Sequence, residues 1–168
     1  MSRFFPHTPY AEDQPLAHSI LTGHVIARTV TASTLIAGGI TTARQLIPFI
    51  RPATALAFAP RLVRSASTGT LVALGLGAFM TLGRMHGRED IEWRDRSWRL
   101  LENKGQVETD DWTVAGGVVG AAAGVGAGLG WRGAVGGAGL GSVAGMFGYL
   151  AWRYGVNGGK FPEKETRL

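Results

Sequence analysis

Gly116 to Gly145 reads GGVVGAAAGVGAGLGWRGAVGGAGLGSVAG. How this stretch is read decides the fold. In a water-soluble helix each interior Gly costs about 0.8–1 kcal/mol relative to Ala, so a loop is the first interpretation. The spacing argues otherwise. Gly116, Gly120, Gly124 and Gly128 recur every fourth residue, as do Gly133, Gly137, Gly141 and Gly145. Four-residue spacing places each set along one flank of a helix. A turn near Gly130–Arg132 then folds the second ladder back antiparallel on the first, pairing Gly128 with Gly133, Gly124 with Gly137, Gly120 with Gly141 and Gly116 with Gly145. Small residues matter most where no hydrophobic force drives helices together, which is the situation inside a bilayer.

The rest of the chain supports that setting. Trp112–Trp131, Gly133–Trp152 and Ser65–Gly83 are free of Asp, Glu, Lys and Arg over 20, 20 and 19 residues. A helix needs about 20 residues to cross roughly 30 Å of hydrocarbon. Three such windows in 168 residues predict an all-α integral membrane protein. A fourth span comes from HSILTGHVIARTVTASTLIAGGITTARQLIPFI, where Thr29–Ala43 gives only 15 uncharged residues between Arg28 and Arg44. It crosses if those arginines snorkel outward.

The expected order is an extended, proline-punctuated arm over 1–16 and helix 1 over 17–50, followed by a surface loop over 51–63. Transmembrane helix 2 covers 64–86 and a charged amphipathic segment 87–111. Transmembrane helices 3 and 4 cover 112–131 and 133–153, and a polar tail follows over 154–168. The N-terminus has neither the apolar core of a secretory signal nor the Arg-rich, acid-poor pattern of a matrix presequence. With four spans, 12 of the 17 Lys and Arg residues and all 12 acids fall on the side of the termini, which the positive-inside rule makes the inner side of the membrane.

In the hydrophilic centre, Asp90–Arg94, Glu92–Arg96 and Asp95–Arg99 stand in the favourable acid-then-base i,i+4 order of a helix. Ile91, Trp98 and Leu101 are expected on one face. Gly105 is the expected stop, with Thr109, Asp110 or Asp111 capping the next helix. Trp93 and Trp98 are candidate docking anchors, and Trp112, Trp131 and Trp152 are candidate anchors at the membrane interface. Arg51, Arg61, Arg64, Arg84, Arg132 and Arg153 flank apolar spans and are candidate contacts for lipid headgroups, cardiolipin among them. The formal net charge of +5 therefore points to a membrane surface and not to nucleic acid.

Motifs for chemistry are sparse. GLGWRG at Gly128–Gly133 matches G-x-G-x-x-G, but no βαβ unit surrounds it, and GGK at Gly158–Lys160 lacks the rest of a phosphate loop. His7, His18, His24 and His86 show no ligand spacing, and there is no cysteine. No catalytic residue, cofactor, metal site or small-molecule substrate is expected. Gly and Ala gain little from lipid, so a hairpin made of them is expected to be buried against other spans or partner subunits.

EDIEWRDRSWRLLENKGQVETDDW, followed by the Gly/Ala-rich pair, resembles a small fungal accessory subunit of mitochondrial respiratory complex I, the NUXM type. HSILTGHVIAR looks like that family's opening segment. The resemblance implies a multi-pass protein of the mitochondrial inner membrane. It would be a non-catalytic accessory subunit in the membrane arm of NADH:ubiquinone oxidoreductase, with the other subunits as partners. A weaker resemblance, through the glycine ladders, is to the Tim17/Tim22/Tim23 group, which implies a preprotein translocase.

Overall fold

The computed structural model describes residues 4–50 and 57–161, and these are helical with no strand among them. The helices are α1 (Ala17–Leu46), α2 (Phe58–Met85), α3 (Asp90–Glu102), α4 (Lys104–Gly126) and α5 (Gly130–Leu150). A π-helical turn, Ala151–Val156, continues α5.

Local chemistry sets the ends. Ile47, ahead of Pro48, is extended at φ −94°, ψ 109°, as a residue preceding proline prefers, and α1 stops there. α2 begins at Phe58 with Pro60 in its first turn, where proline removes no helical hydrogen bond. The part of the expected surface loop from Phe58 to Val63 is therefore helix, and 51–56 lie outside the described residues. Glu89 and Glu92 close a capping box at the start of α3. Asn103 then ends α3 and starts α4, its side chain accepting from Gln106 N at 3.2 Å. Because Asn103 does both jobs, Gly105 is not the stop, and Thr109, Asp110 and Asp111 lie inside α4 instead of capping it.

Among the described residues, three helices are long and apolar enough to cross a membrane: Ala17–Leu46, Phe58–Met85 and Gly130–Val156. The first of these is the segment whose crossing the sequence left most open. α4 is not among them. It ends at Gly126, and its uncharged part, from Trp112, is 15 residues, or about 22 Å.

The bundle is arranged inside out relative to a water-soluble fold. α1 packs on α2, both pack on α5, and α4 covers the far side of α5. The interior holds small and hydroxyl residues, including Ala66, Ser67, Thr70, Ala73 and Gly77 of α2 and Gly133, Gly136, Gly139 and Ser142 of α5. Large apolar side chains point outward, with Ile36 63%, Phe79 74%, Leu82 67% and Val119 69% exposed. Contiguous apolar surface on this scale marks an interaction with lipid or protein.

The N-terminal arm is a hook and not an extended segment. Gln14 is buried and its amide donates to Pro6 O at 2.8 Å and Pro15 O at 3.0 Å. Trp98 Nε1 donates to Thr8 O at 2.9 Å, and Arg94 donates to Glu12 O. The arm therefore lies on α3, and Leu16 takes a left-handed φ of 56° to enter α1.

Candidate functional site

The α4–α5 hairpin brings the two ladders to backbone contact. A Cβ added at Gly120 would run into Gly137 O and stand 2.9 Å from Gly137 C and Gly141 Cα. One at Gly116 would meet Gly141 O, one at Gly124 would meet Gly133 O, and one at Gly145 would meet Trp112 O. The rungs are thus Gly124 with Gly133, Gly120 with Gly137, Gly116 with Gly141 and Trp112 with Gly145. This register is one helical turn away from the expected one. The turn lies earlier than the sequence suggested, with left-handed Gly128 (φ +68°) and Gly130 (φ +63°) flanking Leu129. Gly128 belongs to that turn, where a Cβ would meet nothing, so it is not a rung.

A second seam went unread in the sequence because it uses mixed residue types. Gly136 faces Val63 O of α2, and Gly139 faces the hydroxyls of Thr34 and Thr70. Thr34 and Thr70 share a hydrogen bond at 3.3 Å, and Thr31 donates to Ser142 at 3.4 Å. α5 is therefore small on two faces and can be clasped from both sides.

At one end the bundle carries a polar cap. Asp110, with a side chain only 2% exposed, accepts from His24 Nδ1 at 2.6 Å and pairs with the Arg28 guanidinium at 3.0 Å. A carboxylate at that distance requires the proton on Nδ1. Arg28 also donates to Gln106 Oε1 at 2.8 Å. The signal for this cluster was the i,i+4 pair His24 and Arg28 on one face of α1. Its partner is 86 residues away from His24, and the sequence gives no pointer to it.

α3 closes the same end. Trp93, Ser97 and Leu101 form its buried stripe, whereas the expected Ile91 is 46% exposed. Trp93 stacks on His18, ring centroids 4.1 Å apart, so both α3 tryptophans are used inside the chain and neither is a free anchor. Of the expected ion pairs, Asp90–Arg94 (2.7 Å) and Asp95–Arg99 (3.0 Å) form, while Glu92 pairs back with Arg88 at 3.1 Å. The hydrogen bond from His18, then that from Arg94, holds the Asp90 carboxyl below its ordinary value.

Trp112, Tyr149 and Trp152 cluster near this end, with Trp112–Trp152 centroids at 5.9 Å. Arg153 donates to Tyr149 Oη at 2.7 Å and sits 3.9 Å from the Phe161 ring centroid. Trp131 is exposed at the opposite end, beside Arg132. The six flanking arginines do not form one belt. Arg84 and Arg153 belong to the capped end, Arg61, Arg64 and Arg132 to the other, and Arg51 lies outside the described residues.

These features define a helical bundle with the make-up of a polytopic membrane protein and a folded polar cap at one end. The chain belongs to a family of proteins of unknown function, DUF1757, whose profile matches residues 12–148. No curated protein matches it.

Proposed function

We propose that the chain is a non-catalytic accessory subunit of a membrane-embedded enzyme, stabilising its membrane part by helix packing. The observation that carries this reading is the inside-out distribution of residues: glycine, alanine and hydroxyls between the helices, and large apolar side chains outside. The outward face of α4 adds to it. Ala115, Val118, Val119, Ala122 and Ala123 are exposed there, a shallow face that gains little from lipid and suits close contact with a neighbouring helix. On this reading α4 completes a fourth, thin span whose glycine ladder is the packing device of the hairpin.

The assembly we assign is NADH:ubiquinone oxidoreductase of the mitochondrial inner membrane, on the resemblance of the charged centre, Glu89–Trp112. A preprotein translocase is the alternative, supported by the glycine hairpin. Affinity capture of the tagged full chain from mild-detergent extracts of mitochondria separates them. Co-capture of NADH:quinone reductase activity supports the first. Capture of preprotein-import machinery without that activity overturns it.

A further inference from the structure

The end of the bundle opposite the cap carries positive charge without any negative charge. Arg44 closes α1, Arg61 and Arg64 lie in the first two turns of α2, and Arg132 lies in the first turn of α5. The sequence has no acid between Asp13 and Glu89 or between Asp111 and Glu163, so the helices that build this end bring none. Arg61 donates to the Gln45 side-chain oxygen, yet its Nε is buried with no acceptor among the described residues. Arg64 and Arg132 line one hollow of about 270 Å³, walled on its apolar side by Pro60, Val63 and Trp131.

A groove of about 510 Å³ between α1 and α5 starts at the same end, bounded there by Leu46 and Leu62. It is lined by Gly38 and Gly39 on one side and Leu140 on the other, and it reaches Thr34. From Leu46 to Thr34 is about 18 Å along α1, close to the ~15 Å depth of one leaflet's hydrocarbon. Arg132 lies about two turns before Leu140 on α5, and Gly136 between them packs on Val63 of α2. The arginines thus stand at the end of the bundle at which this apolar groove begins its run toward the bilayer midplane.

We infer that this end binds one anionic phospholipid, its phosphate held by Arg64 and Arg132 and one acyl chain in the α1–α5 groove. The inference rests on the reading of the chain as membrane-spanning. Guanidinium pairs with phosphate through two parallel N–H donors, which a second cation cannot replace. A zwitterionic headgroup would bring its ammonium against four arginines with no acid nearby. An anionic lipid supplies the anion and the apolar chain in the order that the end and the groove present them.

The test uses the full chain, purified in detergent, stripped of lipid and incubated with cardiolipin or with phosphatidylcholine of the same acyl chains. Bound lipid is counted by native mass spectrometry, with circular dichroism to establish that each variant is folded. Cardiolipin is retained over phosphatidylcholine, and Arg64→Gln with Arg132→Gln lowers its retention on the order of tenfold or more. Arg99→Gln with Lys160→Gln, at the capped end, leaves retention unchanged. Gly39→Leu, at a position where an added Cβ meets nothing within 4 Å, fills the groove and lowers retention as well. Equal retention of both lipids, or insensitivity to the Arg64/Arg132 pair, overturns the inference. So does a Gly39→Leu chain that keeps its lipid and loses only partner subunits, because the groove then holds a neighbouring helix. Release of the native chain from membranes by alkaline carbonate would instead overturn the membrane reading, an outcome separate from unselective lipid binding.

Discussion

Alanine at Gly120 is the smallest change that tests the α4–α5 seam. On sequence grounds it is a mild substitution, because alanine also permits close approach and favours the helix. The geometry reverses that expectation, since the new Cβ would collide with Gly137 O and lie 2.9 Å from two backbone carbons. Carbon atoms are in favourable contact at about 3.5–4.0 Å, so the helices must part by on the order of 1 Å. A gap of ~0.5–1 Å forfeits a quarter to a half of each dispersion contact along the neighbouring rungs. Overpacking of this kind costs about 1–3 kcal/mol, offset by up to about 1 kcal/mol of helix propensity. The expected net loss is about 0–3 kcal/mol, or a fall in Tm of up to roughly 12 °C for a chain of this size. Gly126→Ala is the control, because a Cβ there meets nothing within 4 Å. Thermal unfolding in detergent, followed by circular dichroism, should place Gly120→Ala below the native chain and Gly126→Ala at or above it. If the two variants melt together, the seam is not a close backbone contact and the reasoning fails.

Three further outcomes follow from the capped end. Asp110→Ala leaves Arg28 and His24 without their buried anion and should cost about 3–5 kcal/mol, whereas replacing Asp110, His24 and Arg28 together by Leu should cost much less. Unfolding by denaturant compares the two, and equal losses would show that the cluster carries no buried ionic penalty. Trp98→Phe removes the donor to Thr8 O and should speed proteolysis of the arm while leaving the bundle's melting nearly unchanged; an unaltered arm would mean that this bond does not hold it. Because the Asp90 carboxyl is held below its ordinary value, its contribution is complete above about pH 4 and is lost as pH falls further through the lowered pKa. The stability difference between the native chain and Asp90→Asn, measured against pH, should therefore shrink as pH falls below about 4. A difference that does not shrink below about pH 4 contradicts the pairing.

Much of this architecture is legible in the sequence because it is periodic or local. Charge-free windows mark α2 and α5, the i,i+4 pairs of Asp90 and Asp95 mark α3, and four-residue glycine spacing marks the hairpin. What was missed depends on small shifts or on distance along the chain. The hairpin register turned on whether the turn is centred near Leu129 or near Trp131, and two left-handed glycines at 128 and 130 decided it. The Gly136–Gly139–Ser142 face mixes glycine with serine and has no single-residue period. The His24–Asp110–Arg28 cluster joins helices far apart in sequence, and Asp110 looked locally like a cap. α4 reads as a span of Trp112–Trp131 because absence of charge sets its length, whereas the helix ends at Gly126, which no charge marks.

The chain contains no cysteine, so single cysteines can be spin-labelled one at a time on an otherwise native background. Labels at Phe79 and Val119 (outward), Ser142 (interior) and Arg99 (cap) should be compared in reconstituted bilayers, using oxygen and a water-soluble nickel chelate as relaxing agents. The account predicts strong oxygen access with little nickel access at Phe79 and Val119, neither at Ser142, and strong nickel access at Arg99. Strong nickel access at Phe79 and Val119 in the folded, bilayer-incorporated chain would place those faces in water and contradict it.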